Sequence, residues 1–208
     1  MKRNEINLMI TSSIFISILL GIFYLWLNED VLSFKTGFKS ISFGLTAVTL
    51  FWGFYFNYGW KWPIIKKMFY RPNINGTWVG ELESDWKDKN GNQIPNKKIF
   101  VVIRQNFLRV NFSTFTDNFI GKSYSETFAL NKTRGIKNVA YLYRKETSVK
   151  GDNLNNEGAT ELRLIESRPN RLEGKYWSNI KTNGTLKFTF LSKKTVDSYE
   201  DGLNLEQK

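Results

Sequence analysis

Tyr141 and Tyr143 stand two apart in "AYLYRKE", and Tyr176 follows further on in "EGKYWS". A phenol can stack its ring on a flat ligand and hydrogen-bond the ligand's edge. Ser178, two positions past Tyr176, and Thr160 and Gln105 add neutral donors and acceptors. Arg104 and Arg144 add planar guanidinium groups suited to phosphate oxygens. Such a set recognises a ligand with rings, polar edges and negative charge. Nothing comparable exists for catalysis. The chain has no His and no Cys, which removes imidazole acid–base work, thiolate nucleophiles, disulfides and nearly all zinc or haem ligation. Glu81, Glu83 and Asp85 alternate along one strand face, the pattern of solvated carboxylates. No catalytic residue, metal ligand or cofactor is expected.

These side chains need strands to aim them. From Asn75 onward the apolar residues alternate, predicting strands over about 77–84, 98–105, 108–116, 124–131, 139–145, 159–166, 171–178 and 185–191. Turn-forming stretches such as "KDKNGNQIPNK", "KGDNLNNEG" and "KTNG" separate them. Eight strands with no helix between them predict an antiparallel up-and-down β-barrel of lipocalin size, with room inside for side chains or one small ligand. Gly76-x-Trp78 resembles the G-x-W that opens lipocalin-type barrels, where the Trp closes one end. Alternation turns Tyr141, Tyr143, Thr160, Tyr176, Ser178 and Gln105 inward. Arg104 and Arg144 point away from the apolar interior and would meet a phosphate only at a barrel rim.

Ahead of the barrel lie two uncharged apolar runs, "INLMITSSIFISILLGIFYLWL" at 6–27 and "SISFGLTAVTLFWGFYFNYGW" at 40–60. The first would form a helix of roughly 33 Å, enough to span a hydrocarbon core. It is too long for a signal-peptide core, and "NEDVLSF" offers no cleavage site. Two transmembrane helices are expected. Lys2 and Arg3 precede the first, Lys61, Lys66, Lys67 and Arg71 follow the second, and Lys35 and Lys39 face Glu29 and Asp30 in the loop. That asymmetry places both termini in the cytoplasm. Trp26, Trp60 and Trp62 fall where interfacial aromatics belong. Ser13, Ser17 and Gly21 recur every four residues, and Thr49 and Gly53 repeat the spacing. Small residues so spaced let helices approach closely, either within the hairpin or between copies.

The division expected is therefore a transmembrane hairpin at 1–70, a cytoplasmic ligand-binding barrel at 71–194 and an acidic, disordered tail at 195–208. The whole chain carries a formal charge of +11. Between Arg71 and Lys194 there are 22 Lys and Arg against 12 Asp and Glu. That surplus would draw a phosphate-bearing ligand or appose a membrane surface.

Taken together, the order of parts resembles the two-transmembrane, β-strand-rich effectors of bacterial CBASS antiphage systems. The stretches that carry the resemblance are "P-x-I-x-G-x-W-x-G", "VVIRQNFLRVNFST", "AYLYRKE", "EGATELRLIES" and "RLEGKYWSNIKTNGTLKF". It spans residues 6 to about 191 and departs at Glu157, where a His is expected before the Gly. The resemblance implies a multi-pass protein of the inner membrane whose barrel binds a cyclic oligonucleotide messenger, a cyclic dinucleotide above all. Binding would drive homo-oligomerisation, membrane disruption and death of the infected cell. No DNA or RNA polymer is an expected partner. Two other classes fit the residues alone: a membrane-anchored carrier of an apolar molecule, and a scaffold with a solid barrel.

Overall fold

The computed structural model describes residues 3–28, 33–63, 69–87, 90–131, 134–147 and 156–208. Lys2, Glu29, Asp30, Lys66 and Lys67, and most of the turn "KGDNLNNEG", lie outside the described residues. The chain divides into two compact units: residues 1–71 with 106–108, and residues 72–105 with 109–208.

In the first unit, α1 (Arg3–Leu27) and α2 (Phe34–Asn57) pack together. Ser33 caps α2 by accepting from the Thr36 amide, and Thr36 returns the bond to the Ser33 amide, a reciprocal capping box. The small residues sit at the crossing. Trp52 Nε1 donates to Ser13 Oγ at 2.7 Å. A Cβ on Gly44 would collide with Ser17 O, and one on Gly21 would lie 3.3 Å from Ser40 O. Contacts running Ser13–Trp52, Ser17–Gly44 and Gly21–Ser40 make the pair antiparallel. The Ser13–Ser17–Gly21 stripe is thus consumed within the hairpin. Gly53 is different, with nothing within 4 Å of an added Cβ.

Among the described residues, one helix is long and apolar enough to cross a membrane, Glu5–Leu27. Its outward Ile14, Phe15, Ile18 and Ile22 are exposed. The second expected span falls short of the same measure, because α2 mixes Gly, Ser, Thr, Trp and Tyr with its aliphatic residues. Trp26 and Trp62 are exposed, whereas Trp60 is buried with Met9, Tyr55, Phe69 and Phe107. An aromatic cluster, not a surface position, is where Trp60 ends up.

The second unit is a closed barrel of eight antiparallel strands in sequential order. They are β1 (Gly76–Ser84), β2 (Lys97–Gln105), β3 (Val110–Phe115), β4 (Phe119–Asn131), β5 (Ile136–Thr147), β6 (Asn156–Ile165), β7 (Arg171–Ser178) and β8 (Asn183–Ser192). Inward residues interlock as one core that includes Val101, Ile103, Leu162, Leu172 and Phe188. At the end where β1 starts, Trp78 packs edge-on to Phe190 at 5.3 Å and donates to Ile74 O, so this Trp closes the barrel as the G-x-W pattern suggests. The ladders are uneven. β4 and β5 pair along their whole length, from Phe119–Thr147 to Asn131–Ile136. β3 and β4 pair only from Ser113–Lys122 to Phe115–Ile120.

α2 starts six residues earlier than the expected second run, so Lys35 and Lys39 lie in the helix and not in the loop, and within the second unit two elements differ most from expectation. β4 begins five residues early, and a bulge at Tyr124 interrupts its register with β5. The bulge breaks the alternation, so neither half reads as part of a longer strand. The tail is ordered rather than disordered: α3 (Tyr199–Glu206) starts at an N-cap, Ser198, whose hydroxyl accepts from the Asp201 amide. Val196, Tyr199, Leu203 and Leu205 pack on Phe100, Val102 and Phe115, and burial of that apolar stripe offsets the tail's polar composition.

Candidate ligand-binding site

β5 runs Val139, Tyr141, Tyr143 and Lys145 along its inner phase. Register places Tyr141 beside Thr160 of β6, and Thr160 beside Tyr176 of β7. One step toward the end where β1 finishes, Tyr143 lies opposite Gly158, and Gly158 opposite Ser178. Gly158 is what leaves room there, since a Cβ would strike the Tyr143 phenol. The three tyrosines, Thr160 and Lys145 line one cavity of about 30 Å³. That is close to one water's share of liquid volume.

The tyrosines are not equivalent. Tyr141 is locked in the core, its ring stacked on Phe112 at 4.2 Å and 13°. Burial pushes its pKa up to about 12, opposed by a hydrogen bond with Thr160. Tyr143 is 7% exposed, yet its hydroxyl has no hydrogen-bond partner among the described residues. Burial raises its pKa strongly, with Tyr141 and Tyr176 adding to the effect. For Tyr176 burial also raises the pKa, opposed by a hydrogen bond with Ser84 and helped by Asp85.

Lys145 is the residue that sequence reasoning missed. Its ammonium sits 4.4 Å from the Phe119 ring centroid, 5.7 Å from Tyr143 and 5.9 Å from Tyr176. Burial, with the Lys97 charge adding to it, pushes its pKa down to about 8. No ion pair joins it to a carboxylate among the described residues. The available signal was phase: Lys145 shares the parity of Tyr141 and Tyr143.

The other candidates fall elsewhere. Gln105 works at the opposite end, accepting from the Ile74 amide at 3.0 Å and donating to Pro72 O at 2.9 Å. Arg104 lies outside the barrel, paired with Asp197 of the tail at 2.9 Å. Arg144 is also outside, 2.6 Å from Glu157 and stacked over Tyr124. The carboxylate at the unusual Glu157 position therefore anchors an outer-wall arginine. Ser178 Oγ lies 2.7 Å from Thr182 Oγ1 in the β7–β8 turn, beside the Tyr143 row. Ser17 and Gly21 belong to the hairpin crossing and Gly53 faces open space.

A larger hollow of about 710 Å³ lies open on the outer wall, lined by Glu161, Arg163, Glu173, Lys175 and Trp177 among others. The carboxylates of Asp85, Glu161 and Glu173 outnumber the cations of Arg163 and Lys175 there, so its charge does not favour an anion. The interior end, with a cation and, among the described residues, an unpartnered phenol between aromatic rings, is the better candidate recognition site.

Relatives bear on what is recognised. A protein of Escherichia albertii named CD-NTase-associated protein 15 is 26% identical over 173 residues, 80% of this chain and 82% of its own length. One of the same name from Staphylococcus schleiferi is 26% identical over 147 residues, 71% of this chain and 76% of its own. Residues 69–190, more than half of the chain, match the family described as Cap15, cyclic dinucleotide receptor domain, and to that family the chain belongs.

Proposed function

We propose that the barrel is the receptor of a CBASS antiphage effector and binds a cyclic dinucleotide at the end lined by Tyr143, Lys145 and Tyr176. It acts by binding, not by catalysis. Both α1 and α2 then span the bacterial inner membrane with the termini in the cytoplasm, where the messenger is made. Occupied receptors associate into homo-oligomers, and their helices disrupt the membrane and kill the infected cell.

The observation that carries this reading is the convergence of aromatic rings and an ammonium on one cavity within the family-matched segment. The size of that cavity supports a signalling role. A cyclic dinucleotide exceeds 30 Å³ many times over, so seating it wholly inside this end requires side chains to move. Binding and rearrangement are then one event, and the ligand's differential affinity for the rearranged state drives the response.

Calorimetric titration of the full chain in detergent against a panel of cyclic di- and trinucleotides tests the reading. Binding of a cyclic dinucleotide is expected, and Tyr176→Ala should weaken it by about 1 kcal/mol, because its ring walls the cavity and faces the Lys145 ammonium. Binding of fatty acids and of no nucleotide would overturn the reading in favour of an apolar carrier.

A further inference from the structure

Two donors that line one cavity of the barrel lack acceptors among the described residues. Thr160 is engaged by Tyr141 and Thr114 Oγ1 donates to Gly121 O. That leaves Tyr143 Oη, buried without a partner among the described residues, and Lys145 Nζ, which has three ring faces and Lys97 around it and no carboxylate paired with it among the described residues. Each is costly to bury unmatched, the charged group more so. One class of ligand atom would satisfy both: an anionic oxygen.

Resting on the reading of this end as the ligand site, we propose that Tyr143 Oη and Lys145 Nζ form a phosphate-recognising pair, and that a phosphodiester of the ligand, not a base, is the part that enters the barrel. The groups facing Lys145 bear this out element by element. β2 contributes Lys97, tied to Asp117 at 3.8 Å. β4 contributes Phe119, β5 Tyr143 and β7 Tyr176, behind which lies Asp85. No carboxylate among the described residues is its counter-ion, and one phosphodiester monoanion matches one ammonium. The residual volume near one water suits an oxygen of that group better than a purine or pyrimidine ring. Tyr143 then acts through its hydroxyl, which separates it from a stacking platform.

Two variants of the full chain discriminate, titrated with the same panel of cyclic dinucleotides. Lys145→Met keeps the apolar stem and removes the charge; Tyr143→Phe keeps the ring and removes the hydroxyl. Each should weaken binding by about tenfold or more. Both should melt at or above the wild-type temperature, Lys145→Met by about 4 °C or more, because an unmatched polar group has gone. Wild-type affinity should fall between pH 7 and 9.5 as the ammonium loses its proton, while Lys145→Arg, which stays charged, holds its affinity over that range. If the wild type binds and both variants bind within twofold of it, the pair is not the receptor, though the barrel remains one. Loss of binding with a lowered melting temperature would also overturn the inference, since Lys145 would then be structural. A wild type that binds no cyclic dinucleotide would sink the receptor reading itself.

Discussion

At Lys145 a charged side chain follows Tyr141 and Tyr143 on the same face of one strand, and its pKa lies near 8 against an ordinary 10.5. Between those values the unfolded chain binds the proton more tightly than the folded one, so stability rises with pH across that window. Below about 8 the burial penalty is present in full. Tyr141 and Tyr143 act in the opposite sense: their folded pKa values are raised above 10, so stability falls as pH rises beyond 10. Thermal melts followed by near-ultraviolet circular dichroism should show stability rising from about pH 8 to 10 and falling above it. Lys145→Met should abolish the rise and keep the fall; an unchanged rise would place the titration elsewhere. The tyrosines and Thr160 were legible from alternation alone. Lys145 had the same phase, but its type argued for solvent, because Lys is almost never buried, and residue type outvoted position. The partners of Arg104 and Arg144 were not legible, since Asp197 and Glu157 meet them only through tertiary folding.

On the scale of elements, β2 holds the instructive case. "KKIFVVIRQ" buries Ile99, Val101 and Ile103 inward and Phe100 and Val102 outward. A strand apolar on both faces needs a cover on both. That run was a sequence signal for an outer layer, and Val196, Tyr199, Leu203 and Leu205 in the tail were the matching half. The acidic composition of the tail hid it. Truncation after Lys194 should cost on the order of 3 kcal/mol, from the apolar area returned to water, and should make the barrel self-associate. The ion pairs Lys98–Glu206 and Arg104–Asp197 are largely exposed, so Glu206→Gln should shift stability by less than about 1 kcal/mol. Denaturant titration of the two variants checks both figures, and equal effects would mean that charge, not burial, holds α3 down. All eight strands were legible because alternation is a local signal. The start of β4 was not, because the bulge at Tyr124 is set by pairing with β5.

For the molecule as a whole, the proposed sensing and membrane damage should be separable by substitution. Ser17 and Gly21 are committed to the α1–α2 crossing, whereas Gly53 has open space around it. Gly53→Leu should therefore preserve the hairpin, membrane insertion and ligand affinity, and reduce messenger-dependent dye entry if α2 meets a second copy there. Ser17→Leu should disturb the hairpin itself and lower the amount recovered in membranes. Unchanged dye entry in Gly53→Leu would move assembly to the barrel. The unevenness of the ring has its own consequence. A closed barrel breathes where the fewest main-chain bonds hold it, and that is the β3–β4 junction, joined only from Ser113–Lys122 to Phe115–Ile120. Thr114 and Phe119, on either side of that junction, also line the cavity. The barrel is therefore expected to part first at the stave beside the tyrosines, without unzipping its other ladders, so admission of the proposed ligand need not be the step that unfolds the protein.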